Sequence, residues 1–182
     1  MSDAAHDPGG KVRISARGYA SRAIFGGPGD CYRYTLERTF DAISPPNPVM
    51  FCMMNPSLAD ESFDDPTVAR CRAFALRWGH THLFVGNTFA YRATDQRRLL
   101  EVDDPIGPEN DAYLLDMAQR ANVVVFAYGT PHKSLRARGP AVARMLIAHG
   151  IQPFVLRLSQ TGTPWHPLYL PGNLTPTPWS PA

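Results

Sequence analysis

A three-layer α/β fold, a mostly parallel sheet with helices on both faces, is what this 182-residue chain predicts. Two patterns carry that expectation: short continuous apolar runs alternate with amphipathic stretches, and each run stops abruptly at Asn, Gly or Pro. The length suits one core, and 44% hydrophobic against 19% charged residues is ordinary globular usage that argues against disordered, collagen-like and coiled-coil chains.

Residues 1–30 hold Gly and Pro clusters without a sustained period and are expected to be a mobile N-terminal segment, leaving residues 31–182 as a single α/β domain. Residues 31–40 alternate weakly, as a first strand would. Residues 49–54, Val-Met-Phe-Cys-Met-Met, read as a strand buried on both faces that ends at Asn55-Pro56-Ser57. Asp65 followed by Pro66 is a helix start, and Val68, Cys71, Phe74, Ala75 and Trp78 recur at helical spacing until Gly79. The alternation then repeats. Residues 82–86 form a strand ending at Asn87, 108–120 a helix, 123–128 a strand ending at Gly129, 140–149 a helix closed by Gly150, and 152–158 a fourth apolar strand.

No apolar run approaches the roughly 20 residues that a membrane-spanning helix needs. The first ten residues lack a basic region followed by an apolar stretch, so the expected location is the cytoplasm, without membrane contact. Three cysteines, Cys31, Cys52 and Cys71, match neither a paired framework nor a zinc pattern, and no obligate protein partner is inferred.

In an open α/β sheet, ligands bind beyond the carboxyl ends of the strands. Four such ends deliver Asn55-Pro56-Ser57, Gly86-Asn87-Thr88, Tyr128-Gly129-Thr130 and the segment containing Trp165-His166. Each element alone is commonly a turn; their coincidence at one rim makes it the candidate site. The acidic cluster Asp60, Glu61, Asp64 and Asp65 offers a different reading, a metal-dependent phosphoester hydrolase, against a cap and a solvated loop. No P-loop, dinucleotide fingerprint or serine elbow is present, and no cofactor or metal is expected.

Charge is skewed along the chain. Residues 117–182 carry Arg120, Lys133, Arg136, Arg138, Arg144 and Arg157 and no acidic residue, a local +6, whereas residues 1–116 sum to −4. Such a skew points to a polyanion, so DNA, duplex or single-stranded, is the expected partner, with Lys133, Arg136 and Arg138 on phosphates. Because 16 of the 18 basic residues are Arg, compositional drift is the bland alternative.

The ordered motifs Met54-Asn55-Pro56-Ser57, Asp64-Asp65-Pro66-Thr67, Arg70-Cys71, Gly86-Asn87, Arg92-Ala93-Thr94, Pro105-Ile106-Gly107, Glu109-Asn110-Asp111 and His166-Pro167-Leu168-Tyr169 resemble a bacterial and phage family known as a domain of unknown function, over about residues 25–170. Departures from its pattern are Leu58 for Thr, Tyr128-Gly129 for Trp-Gly, and Gln160 for a Lys, which puts a phosphate contact in doubt. The arrangement is also similar to the uracil-DNA glycosylase superfamily, through Asn55-Pro56, Asn87 and His166-Pro167, with Leu168 where Ser is common.

That second resemblance implies a DNA glycosylase excising a modified or deaminated base. Asn55 would orient water, His166 would stabilise the departing base, Asn87 and Ser57 would bind the base, and Tyr128 or Trp165 would stack on it. The alternatives are a non-catalytic module that binds a modified base or nucleotide, and the metal-dependent hydrolase.

Overall fold

The computed structural model describes residues 13–16 and 18–181. Two short strands, β1 (Ile14–Ser15) and β5 (Phe63–Asp64), pair antiparallel with each other. The other seven, β2 (Ala20–Gly26), β3 (Tyr32–Thr39), β4 (Pro48–Met53), β6 (His82–Asn87), β7 (Val123–Phe126), β8 (Pro153–Val155) and β9 (Thr177–Pro178), form one sheet in the order β2-β3-β6-β4-β7-β8-β9. Cys52 sits in its middle strand, registered against Gly86 on one side and Phe126 on the other.

The sheet is mixed rather than mostly parallel. β6, β4, β7 and β8 run parallel, while β2, β3 and β9 join antiparallel. The cause is connectivity. β3 follows β2 through a tight turn around Gly27, at φ 74°, too short for the crossover that parallel pairing requires, and β9 comes back from the long loop through His166 to pair antiparallel with β8. Of residues 1–30, positions 1–12 and Arg17 lie outside the described residues; Ala20–Gly26 form an edge strand whose partners run from Thr39 to Tyr32, so the sheet begins before residue 31.

Three helices cover the sheet on two faces. α1 (Pro66–Arg77) starts where Asp65 accepts the Val68 N–H at 2.8 Å, and buries Val68, Cys71 and Phe74 against Phe51, Met53 and Val85. α2 (Asn110–Arg120) and α3 (Arg138–Ala148) bury Leu114, Met117, Val142 and Leu146 against Met50, Cys52, Phe84 and Phe126 on the opposite face. From Val49 to Met53, strand β4 alternates its side chains between these two clusters; all six of its residues are buried and the sequence reads as uninterrupted apolar. Gly86 lies where α2 presses closest: a Cβ there would stand 2.6 Å from Leu114 Cδ2.

No helix among the described residues is long and apolar enough to cross a membrane.

Candidate functional site

The parallel strands β4, β6 and β7 all end on one side of the sheet, and backbone bonds lock together the loops that follow them. The N–H groups of Thr88 and Phe89 donate to the carbonyls of Met53 and Met54 at 2.8 Å, Ala93 to Pro56 at 2.9 Å, and Gly129 to Pro164 at 3.0 Å. These loops surround a cavity of about 1000 Å³. Asn55, Ser57, Asn87, Tyr128, Trp165 and His166 all line it. So do Arg33 and Tyr169, which strand-end topology does not single out, and Asp65, expected as a helix cap or metal ligand.

Asn55 is fixed by its amide nitrogen, which donates to Ala93 O at 2.6 Å and Pro56 O at 3.2 Å. Both donors being engaged, Oδ1 is the acceptor left over, without a partner among the described residues. Asn87 accepts from Arg33 Nη2 at 3.2 Å through Oδ1, while Asn110 Nδ2 holds its backbone carbonyl at 2.9 Å. Because Arg33 can only donate, this bond sets the amide's orientation and leaves Nδ2 as the donor still available. Ser57 and Thr94 share a hydroxyl contact of 3.2 Å at the rim.

His166 caps the short turn Pro167–Tyr169, its Nδ1 accepting the Leu168 N–H at 3.3 Å. A neutral ring in that arrangement carries its proton on Nε2. Burial lowers the imidazole pKa, with the field of Asp65 opposing, so the neutral form is favoured. Gly129 makes room for this residue: its φ is +70°, and a Cβ there would approach His166 Cβ to 3.1 Å.

Burial likewise lowers the pKa of His80, whose Nδ1 lies 3.1 Å from the Asn47 carbonyl. A folded-state pKa below the ordinary value near 6.5 means that the unfolded chain takes up protons first. Each histidine therefore contributes stability present above that value and lost as pH falls through its folded pKa. We expect the urea midpoint to fall as pH drops below 6.5, and His166→Gln to flatten part of that slope; a midpoint indifferent to pH in this range would contradict the burial of both rings.

Three expectations change on folding. The Tyr128 ring, 4% exposed, points into the core, edge-on to Phe126 and 6.5 Å from Trp179, and a Cβ on Gly139 would touch its Cζ at 2.5 Å. It offers no open face for stacking. That capacity lies with Trp165, 39% exposed with Arg157 over its ring, and with Tyr169, 74% exposed. Arg138 ion-pairs with Asp111 and donates from Nε to Thr88 O at 2.9 Å, which makes it a strut between α2, α3 and the loop after β6. Arg120 similarly pairs with Glu37 and Asp116. The linear skew is thus partly cancelled in space, because acids from the first 116 residues meet bases from the last 66; Lys133 and Arg136 remain exposed, outside the cavity lining.

The acidic cluster also disperses. Asp60 turns back on the Ser62 and Phe63 N–H groups, Glu61 accepts from Ala23 N–H, Asp64 is buried between Arg38 and Arg72, and Asp65 caps α1. Of the four only Asp65 lines the cavity, and the described residues contain no group of three or more His, Cys, Asp or Glu placed to hold a metal ion.

Residues 33–168 match the family described as a protein of unknown function, DUF1643. The chain belongs to that family. The match runs from the buried Arg33 to the turn after His166, so it encloses every segment lining the cavity except Tyr169. No curated protein and no solved structure matches this DUF1643 chain.

Proposed function

We propose that this DUF1643 protein is a metal-independent N-glycosylase that removes a modified or deaminated base from DNA. The reading is supported above all by the convergence of Asn55, Asn87 and His166 on one cavity at the carboxyl ends of parallel strands. The likeness of Asn55-Pro56 and His166-Pro167 to motifs of the uracil-DNA glycosylase superfamily points the same way.

Hydrolysis bonds a water oxygen to the sugar C1′ while the C1′–N bond breaks, its electron pair leaving with the base and the water's surplus proton passing to the base or solvent. The sugar becomes oxocarbenium-like before water arrives, so orientation matters more than deprotonation. Asn55 Oδ1, held by the two carbonyls on its amide nitrogen, suits the orienting acceptor. The Nε2–H of a neutral His166 is a fixed donor for the departing base anion. Asn87 Nδ2 would read the base edge and Trp165 or Tyr169 would cover its face. Arg136 and Lys133, exposed, remain the candidates for backbone phosphates.

A second reading is a module that binds a modified base without cleaving it. It is favoured by the Asn55 amide, whose bonds to Ala93 and Pro56 also secure the loop. Oligonucleotides carrying varied modified bases, scored for both retention and abasic-site formation with and without EDTA, separate the two. Base release that EDTA leaves intact is the expected result. Retention without release transfers the site to the binding module, and release abolished by EDTA overturns metal independence.

A further inference from the structure

Arg33 and Arg38 lie on the same strand, β3, and are almost equally buried, at 2% and 0% exposed. Their surroundings differ in one respect. Arg38 is neutralised: Nε and Nη2 reach Asp64 Oδ1 at 3.0 and 2.8 Å, and Nη2 also donates to Asp60 O at 2.6 Å. Arg33 donates to Ala59 O at 2.6 Å and to Asn87 Oδ1 at 3.2 Å, both uncharged, and no carboxylate among the described residues forms an ion pair with it. Its Nε is buried with no hydrogen-bond partner. Burial lowers its pKa to about 10, the more distant fields of Asp65 and Asp60 opposing, which still leaves it charged at neutral pH.

A buried cation is costly unless an opposite charge stands beside it. Arg33 lines the cavity, and with only two of its five N–H donors engaged it retains donors for an incoming group. Asn87, turned by Arg33 so that Nδ2 is its open donor, adds a second at the same end. We propose that this end of the cavity is an oxyanion site, where a carboxylate or phosphate of the ligand supplies the direct ion-pair partner that Arg33 lacks among the described residues. The inference rests on taking this cavity as the binding site and names the chemistry of its ligand, without depending on the glycosidic step.

Two sources share that chemistry: a carboxylated base within DNA, or the phosphate of a free nucleotide. The test titrates the full chain with an oligonucleotide bearing a 5-carboxyl pyrimidine, with its uncarboxylated counterpart, and with a nucleoside 5′-monophosphate against its nucleoside. Calorimetry and the Arg33 Nε–Hε resonance are the readouts. One anionic ligand of the two pairs should bind at least about tenfold tighter than its neutral partner, a difference near 1.4 kcal/mol. Which pair responds identifies the source. Arg33→Met should abolish the preference and Arg33→Lys should keep part of it.

If Arg33→Met does not fold, the wild-type resonance decides: a shift on saturation with the preferred ligand upholds the site, and no shift overturns it. Equal affinity for charged and neutral partners also overturns it, even if the protein releases neutral bases and the glycosylase reading stands. Anion-dependent binding without base release upholds the oxyanion site and removes the glycosylase reading instead.

Discussion

Single-turnover base release should fall by about 10²-fold or more in Asn55→Ala and in His166→Ala, with DNA retention nearly unchanged, as expected for contacts made chiefly in the transition state. Each residue also has a structural task, and the variants must separate the two. Asn55 ties the loop after β4 to Ala93 at 2.6 Å, so its thermal midpoint has to be recorded beside the rate. His166 caps the turn at Leu168 through Nδ1. His166→Asp supplies another acceptor for that N–H and carries no N–H donor. It should therefore restore the midpoint relative to His166→Ala and remain as slow. A folded Asn55→Ala, His166→Ala double variant releasing base at the wild-type rate would remove both residues from the mechanism.

What the sequence discloses depends on how local the determining force is. β4 and α1 are legible because their signals are contained in the segment itself: six consecutive apolar side chains, and an Asp65-Pro66 start followed by apolar residues at helical spacing. β2 is not, since Ala20–Gly26 is an edge strand, part-exposed along its length, whose only sheet partner among the described residues is β3. β8 shortens to three residues because its later part is drawn into the loop where Leu158 bridges Pro164.

The same distinction governs the cavity. Strand ends locate Asn55, Asn87 and His166 because topology alone gathers them. Arg33 escapes notice because an arginine within a weakly alternating strand reads as a solvated residue, and only contacts with Ala59 and Asn87, 26 and 54 positions away, bury it. Tyr128 fails in the opposite direction. It follows a strand and looks like a rim residue, yet the slot that takes its ring exists because Gly139 on α3 has no side chain.

Asp64→Ala should destabilise the domain by about 3–5 kcal/mol, the usual consequence of removing one partner of a buried ion pair. Against a total stability of about 5–15 kcal/mol for a domain, that is enough to lower the denaturant midpoint severely. Asp64 holds two arginines with its two oxygens: Arg38 on Oδ1 at 2.8 Å and Arg72 on Oδ2 at 2.7 Å. Arg72 reaches solvent and can rehydrate, but Arg38 is fully enclosed beneath the loop carrying Asp60 and Phe63. Its charge would be left with carbonyl dipoles alone. Replacing the pair together, Arg38→Met with Asp64→Leu, should recover most of the loss because no uncompensated charge remains. The exposed Asp95–Arg97 pair is the internal control: Arg97→Ala should leave the midpoint nearly where it was, since both groups are solvated once separated. Urea unfolding at neutral pH with the m-value compared across the four proteins measures all of this. An Asp64→Ala midpoint no lower than that of Arg97→Ala would show that Arg38 finds another counter-charge, and Arg33, five residues away on the same strand, would then lose its contrast.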